Sequence, residues 1–273
     1  GPEGGLESLG FVTEKLLAHQ EFCKVVACLC SGQGGQIDGV VGAGSALFAA
    51  AIAKVASQTV LIVLPSADSA AGFCEDFRLF SPHSVTHFPR LDRVQPYLSP
   101  DDEIVGERLR ILRTLACGHG PRMIVSSIEA LIQAVPSVSH VRNNVVNLKV
   151  GETLAVSGLL QVLNEWGFRN TTAVALPGEY SLRGGILDIF SPEWSSPLRI
   201  ELFGDQIESL RRVDLETQRS VERLDQVHLT AMGPRIDLSA SLLDYLPERT
   251  WVILVQPQAI DEAAREYFRK LDS

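Results

Sequence analysis

An apolar run at residues 59–64 (TVLIVL) is the feature that most restricts the fold of this chain. A strand of this composition offers no face to water, which is typical of parallel sheets covered by helices on both sides. Ser66 then stands as a helix cap, and apolar residues follow it at helical spacing, namely Ala70, Phe73, Cys74 and Phe77. The run therefore predicts a strand–helix unit in an α/β layer.

Further strand and helix patterns alternate on either side of this run. Helices are predicted at residues 6–17, after Gly42-Ala43-Gly44 with an apolar face from Leu47 to Val55, from a Ser99 cap through the stripe Val105, Leu109, Leu112 and Ala116, and at 128–135. Strands are predicted at residues 37–41 and 123–125 and, after a long interval, at 251–255, where an amphipathic helix follows. The order of elements predicts a parallel α/β sheet that the end of the chain rejoins.

The pattern changes near residue 147, where one helix at 156–166 precedes several strands joined by short turns. These strands are predicted at residues 172–176, 180–190, 198–203, 206–213 and 224–229. The turns contain Pro177-Gly178 and Gly204-Asp205, the residue types that tight turns require. We predict an α/β domain at 1–146, a small inserted α+β domain at 147–233, and a return to the α/β layer at 234–273, in a fragment of a longer protein.

A glycine-rich segment at residues 39–46 (GVVGAGSA) has the glycine spacing of a phosphate-binding loop. Gly39, Gly42 and Gly44 match that loop, but Ser45 replaces its lysine and Ala46 replaces the hydroxyl that holds magnesium. The segment therefore predicts no ATP hydrolysis and no bound cofactor. Two alternatives explain the same glycines, a tight strand-to-helix turn and a partial dinucleotide-binding fingerprint. A glycine turn at the start of a helix could still hold an anion such as sulfate.

Composition argues against several other classes of protein. A net charge of −9 disfavours non-specific DNA binding, which depends on lysine and arginine. The five cysteines lack paired C-x-x-C spacing, so we expect neither a disulfide framework nor a metal site, and CKVVACLC (23–30) suggests one face of a buried element. The scattered histidines and the missing nucleophile motifs indicate no catalytic residues. No apolar run is long enough to cross a bilayer, and we expect a cytoplasmic protein.

Charged residues lie on neighbouring strands of the predicted α+β domain. Arg199 and Glu201 share one face by the period of two, and Arg183 points outward if Leu182 points to the core. Such charges suit a polar protein interface. From the spacing alone, however, a solvated sheet face with an ordinary cross-strand ion pair is favoured over an interface.

The motifs at residues 177–190 (PGEYSLRGGILDIF) and 198–211 (LRIELFGDQIESLR) carry a resemblance to a known family. With Asp214, Thr217 to Ser220 and the segments 97–100, 107–109 and 244–247, they resemble the N-terminal UvrB-homology module of bacterial transcription-repair coupling factors (Mfd). This resemblance implies a RecA-like, helicase-type domain with a degenerate phosphate loop, and a small domain similar to domain 2 of UvrB.

The resemblance also implies a function as a non-catalytic adaptor that recruits UvrA to stalled RNA polymerase. The UvrA-binding residues of the family fall on Arg169 or its neighbour Asn170, on Arg183, and on Arg199 and Glu201, whereas Ser181 departs from the pattern. ATP, magnesium, RNA polymerase and DNA would be bound by other domains of the full-length protein. A nucleotide-binding helicase fragment and a UvrB-like damaged-DNA-binding module are the alternatives.

Overall fold

A computed structural model describes residues 9–92, 99–217, 219–230, 233 and 236–271. The chain divides into two compact units. The first unit takes residues up to 90, 120–133 and those from 246 onward, and the second takes 91–119 and 134–245. The motif residues Tyr97, Leu98 and Gln218 lie outside the described residues.

The elements of the chain up to residue 132 are, in order, α1 (Gly10–Leu17), α2 (Gln20–Cys30), α3 (Gly44–Val55), β1 (Val60–Leu64), α4 (Ala67–Phe80), β2 (Thr86–Phe88), α5 (Glu103–Ala116), β3 (Met123–Ser127) and α6 (Ile128–Ile132). The elements that follow are α7 (Val138–Asn143), β4 (Val145–Lys149), α8 (Val156–Glu165), β5 (Arg169–Asn170), β6 (Glu179–Arg183), β7 (Ile186–Phe190), β8 (Leu198–Phe203), β9 (Gln206–Val213), β10 (Ser220–Leu224), β11 (Gln226–Thr230), a short 3-10 helix (Leu242–Tyr245), β12 (Trp251–Leu254) and α9 (Pro257–Leu271).

A parallel sheet of order β12-β1-β3-β2 forms the centre of the first unit. Every residue of β1 is buried, and Val60, Ile62 and Leu64 pack with residues of α3 and α4 in one core. Helix α4 begins at Ser66, whose hydroxyl accepts the Ser69 N–H at 3.2 Å in a capping box. The predicted parallel α/β sheet is therefore confirmed, including its recruitment of the late strand β12.

Two predictions near the amino terminus are wrong. Residues 37–41 form no strand, because Ile37 is 37% exposed and Val41 is 83% exposed and neither pairs with the sheet. The segment suggested as a buried element by its cysteines is the helix α2, in which Cys23 and Cys30 are exposed. The predicted helix at 6–17 begins at Gly10 within the described residues.

An antiparallel sheet of order β10-β9-β8-β7-β6-β5 forms the second unit, with β5 and β6 paired in parallel at its end. Its core face packs with side chains from two helices, Leu159 and Leu163 of α8 and Val105 and Leu109 of α5. Strands β4 and β11 form a separate antiparallel pair. The α+β pattern predicted after residue 147 is present in this unit.

Several element boundaries in this unit differ from prediction. Residues 180–190 form a hairpin of two strands, with Gly184 at a φ of 59° in the turn, and 172–176 form no strand. The predicted strand at 224–229 is split between β10 and β11. Helix α5 begins at Glu103 with Asp102 as its cap, where the sequence suggests Ser99. Strands β8 and β9 have the predicted bounds.

The two compact units are defined by packing, whereas the predicted domains are defined by the change in sequence pattern. Helix α5 lies before residue 146, yet it belongs to the second unit because Val105 and Leu109 are buried in that unit's core. The domain boundaries predicted at residues 146 and 233 remain predictions. Within the part of the chain that the structure describes, no helix is long and apolar enough to cross a membrane.

Candidate protein-binding surface

The antiparallel sheet has two faces with opposite chemical character. Leu187 and its cross-strand partner Ile200, which also pairs with Leu210, lie on the face that packs into the core. Alternate residues lie on the other side of the sheet. We call this side the polar face, and its residues include Arg169, Glu179, Ser181, Arg183, Ile186, Asp188, Arg199, Glu201, Phe203, Ser209, Arg211 and Arg223, together with the buried Phe190 opposite Glu179.

Arg199 is held in a bidentate pair by the carboxylate opposite it. Its Nε and Nη2 donate to the two oxygens of Asp188 at 2.8 and 2.9 Å. The hydrogen bonds to Asp188 raise the pKa of Arg199, as expected for a guanidinium paired with a carboxylate. Strand register explains the pair, since Asp188 on β7 is the direct partner of Arg199 on β8.

Glu201 is held by two residues of the next strand. The Ser209 hydroxyl donates to Glu201 Oε2 at 2.5 Å, and Nη2 of Arg211 lies 3.5 Å from the same oxygen. Arg211 Nε also donates to the Ser209 hydroxyl at 3.2 Å. The three side chains form one network across β8 and β9, in which the carboxylate keeps a fixed position.

Arg169 lies at the end of the sheet, beside a carboxylate that also organises a loop. Glu179 accepts the backbone N–H groups of Ala175 and Leu176 at 2.9 and 3.0 Å, and Nη2 of Arg169 lies 3.8 Å from its other oxygen. Asn170, the alternative at this place, is aligned with Tyr180, whose side chain is in the core. The geometry therefore places Arg169, and not Asn170, on the polar face.

Arg183 is exposed, as Arg169 is, but it differs from these arginines because its side chain forms no ion pair or hydrogen bond with the residues that the structure describes. It lies at the end of β6 opposite Ile186, which is in turn the partner of Glu201. Phe203, at the end of β8, is 78% exposed. The backbone N–H of Leu202 donates to the Gly185 carbonyl at 2.7 Å, so the two hairpin tips lie side by side.

The structure thus brings all four predicted interface residues to one face of one sheet. Sequence reasoning did not select Asp188, Ser209, Arg211 or Phe203 as functional. The period of two together with antiparallel pairing would have placed Asp188 beside Arg199. The only signal for Phe203 in the sequence is that it is a large aromatic residue next to a Gly-Asp turn. Ser181 also lies on this face, but it is buried and its hydroxyl donates to the Thr172 carbonyl at 3.3 Å.

The polar face is positive although the chain is acidic. It carries five arginines (Arg169, Arg183, Arg199, Arg211 and Arg223) against three carboxylates (Glu179, Asp188 and Glu201), a local excess of two positive charges. The formal charge of the whole chain is −9. A surface of this sign on an acidic protein favours an acidic partner and steers its approach.

The glycine segment predicted as a degenerate phosphate loop lies in the first unit. Gly39 and Gly42 have φ values of 77° and 55°, and α3 begins at Gly44 without a side-chain cap. Ser45 donates to the Gly42 carbonyl at 3.3 Å, and Ala46 is fully buried. The segment borders a cleft of about 700 Å³ together with the end of β12 and the start of α9. Among the described residues, no group of three or more His, Cys, Asp or Glu is arranged to hold a metal ion.

Comparison with known proteins finds matches that include this sheet. Residues 146–233 match the family of the UvrB interaction domain. A transcription-repair-coupling factor from Myxococcus xanthus is 30% identical over 239 residues, which are 84% of this chain and 20% of that protein. The protein of the same name from Staphylococcus aureus (strain bovine RF122 / ET3-1) is 35% identical over 154 residues, which are 56% of this chain and 13% of that protein.

The chain therefore spans a fifth or less of the length of these relatives. The family match contains every strand of the sheet that bears the polar face. The resemblance seen in the sequence motifs is confirmed: this chain contains a UvrB interaction domain and is similar, over most of its length, to the transcription-repair-coupling factors.

Proposed function

We propose that this chain is a non-catalytic adaptor of transcription-coupled DNA repair, which binds UvrA through the polar face and brings it to stalled RNA polymerase. The observation that carries the proposal is the position of Arg183, an exposed arginine without an ion pair among the described residues, inside the matched UvrB interaction domain. RNA polymerase and DNA would be bound by other parts of a longer protein. This role assigns the protein to the bacterial cytoplasm.

The composition of the polar face supports a protein partner. Interfaces are enriched in arginine and aromatic residues, and a few such residues near the centre supply most of the binding free energy. Arg183, Phe203 and the exposed Ile186 combine both characters at the paired hairpin tips. We infer that these residues form the centre of the interface and that Arg169, Arg199 and Glu201 surround it.

We also propose that the first unit is a RecA-like scaffold that binds neither ATP nor magnesium. The parallel sheet and the glycine turn before α3 support this assignment. Ser45 and Ala46 support the loss of activity, because they supply neither the positive charge nor the metal-binding hydroxyl that phosphoryl transfer requires. The unit would then serve as a scaffold while the second unit binds the partner.

The substitution Arg183→Glu tests the adaptor role. We expect it to weaken the binding of UvrA by at least about thirtyfold in calorimetry, the loss typical of a central interface residue. The melting temperature should stay within about 2 °C, because an exposed side chain without partners contributes little to stability.

Arg249→Glu is the matched control, since Arg249 is also exposed but lies after the second unit ends. It changes the net charge equally and should leave UvrA binding intact. A folded Arg183→Glu variant that binds UvrA as tightly as the unmodified chain would contradict the proposed docking surface.

A further inference from the structure

Asp188 is a buried carboxylate on the face of the sheet that does not contact the core. Its side chain is 8% exposed, although exposed aspartate is the rule on such a surface. A buried charge is costly unless it is paired and hydrogen-bonded. The two bonds from Arg199 meet this requirement and fix the relative orientation of both groups.

The pair leaves Arg199 able to bind a second group. A guanidinium has five N–H donors, and the contacts with Asp188 use one on Nε and one on Nη2. The two donors of Nη1 and one of Nη2 remain, and the Arg199 side chain is 20% exposed. Arg199 can therefore donate to a carboxylate or carbonyl oxygen of a partner while Asp188 holds its plane.

This arrangement lowers the entropic cost of using Arg199 in an interface. A long side chain that is already immobile loses less conformational freedom on binding than a mobile one. Arg183 offers the comparison within the same face, because it has no side-chain contact of this kind among the described residues. The two arginines thus differ in whether their geometry is set before binding.

We propose that Asp188 is a positioning residue for UvrA binding, which acts by holding Arg199 in the orientation that donates to an acidic or carbonyl group of UvrA. This inference rests on the function proposed above. Asp188 itself, with both of its oxygens bound and little exposure, does not contact the partner.

A double-mutant cycle tests this role. Asp188→Asn keeps the shape of the side chain but removes its charge, and we expect it to weaken UvrA binding about three- to tenfold. In the background of Arg199→Ala, the same change should have no further effect on binding, because the residue through which Asp188 acts is gone. Equal fractional losses in the two backgrounds, or no loss in either, would overturn the proposal.

Glu193→Gln is the control for a general loss of stability. Glu193 is also a buried acid of the second unit, with its side chain 3% exposed, and it accepts two bonds from Thr230 and pairs with Arg113 at 3.5 Å. We expect both Glu193→Gln and Asp188→Asn to lower the melting temperature, because each removes the charge of a buried, hydrogen-bonded acid. Glu193→Gln should nevertheless bind UvrA normally. A binding loss as large as that of Asp188→Asn would show that stability alone is being measured, and would overturn the positioning role.

A second variant covers the case in which Asp188→Asn does not fold. Arg199→Lys keeps the positive charge but cannot form the planar, two-bonded contact. We expect it to bind UvrA at least threefold more weakly, and full binding would overturn the role of the fixed guanidinium. Arg183→Glu separates this inference from the proposed function. If Arg183→Glu also keeps full UvrA binding, the proposed docking surface itself is wrong. If Arg183→Glu loses UvrA binding but Asp188 and Arg199 show no coupling, only the positioning role is overturned.

Discussion

At the scale of single residues, Gly106 shows how closely two backbone segments approach in the second unit. A Cβ at this position on α5 would overlap the carbonyl group of Pro192, which cannot move without its own backbone. We expect Gly106→Ala to lower the free energy of unfolding by about 1–3 kcal/mol, as overpacking of a close contact does. Urea unfolding measures this change.

Gly158 provides a matched control within another helix of the same unit. It is exposed on α8, and a Cβ there would meet only Ala155 at an ordinary distance of 3.8 Å. Gly158→Ala should therefore stabilise the chain by about 0.5–1 kcal/mol through helix propensity. The same sign of effect at both glycines would contradict the close contact at Gly106.

At the scale of elements, the start of α5 depends on one side chain. The Asp102 carboxylate accepts the N–H groups of Ile104 and Val105 at 2.9 and 3.3 Å, in a position where negative charge also suits the helix dipole. We expect Asp102→Ala to lower the free energy of unfolding by about 1 kcal/mol, the usual value of a helix cap. Thermal or urea unfolding measures the loss.

The neighbouring Asp101 serves as the control, because among the described residues its carboxylate accepts only the Ser99 hydroxyl and no backbone N–H of the helix. Asp101→Ala should change the free energy of unfolding by less than about 0.5 kcal/mol. If Ser99→Ala cost more than Asp102→Ala, the helix start suggested by the sequence would be correct and the cap assigned to Asp102 would be wrong.

At the scale of the whole molecule, the chain combines a glycine turn of phosphate-loop type with the proposed protein-binding surface, and we expect only the second to bind its ligand. A ligand that binds only the folded state raises its stability, by about 2.7 kcal/mol at a concentration one hundred times the dissociation constant. Millimolar ATP with magnesium should therefore leave the melting temperature unchanged. An intact P-loop ATPase is the positive control, and a reproducible rise for this chain would contradict the scaffold role of the first unit.

The sequence by itself determined the elements whose signals are local. Residues 59–64 are apolar throughout and form the buried strand β1, and Ser66 caps α4, whose predicted apolar stripe is buried. Strands β8 and β9 have the predicted bounds because a Gly-Asp turn separates two patterned runs. The motif resemblance likewise needed no coordinates, since it depends on residue types in order.

The tertiary structure alone determined the features whose signals in the sequence are not local. Residues 37–41 have the composition of a strand, but a strand exists only where a partner accepts its hydrogen bonds, and the sheet takes β12 beside β1. Helix α5 joins the second unit because its apolar stripe is buried there. The pairing of Asp188 with Arg199 also required the register of β7 on β8, because antiparallel pairing brings together residues that are eleven positions apart in the chain.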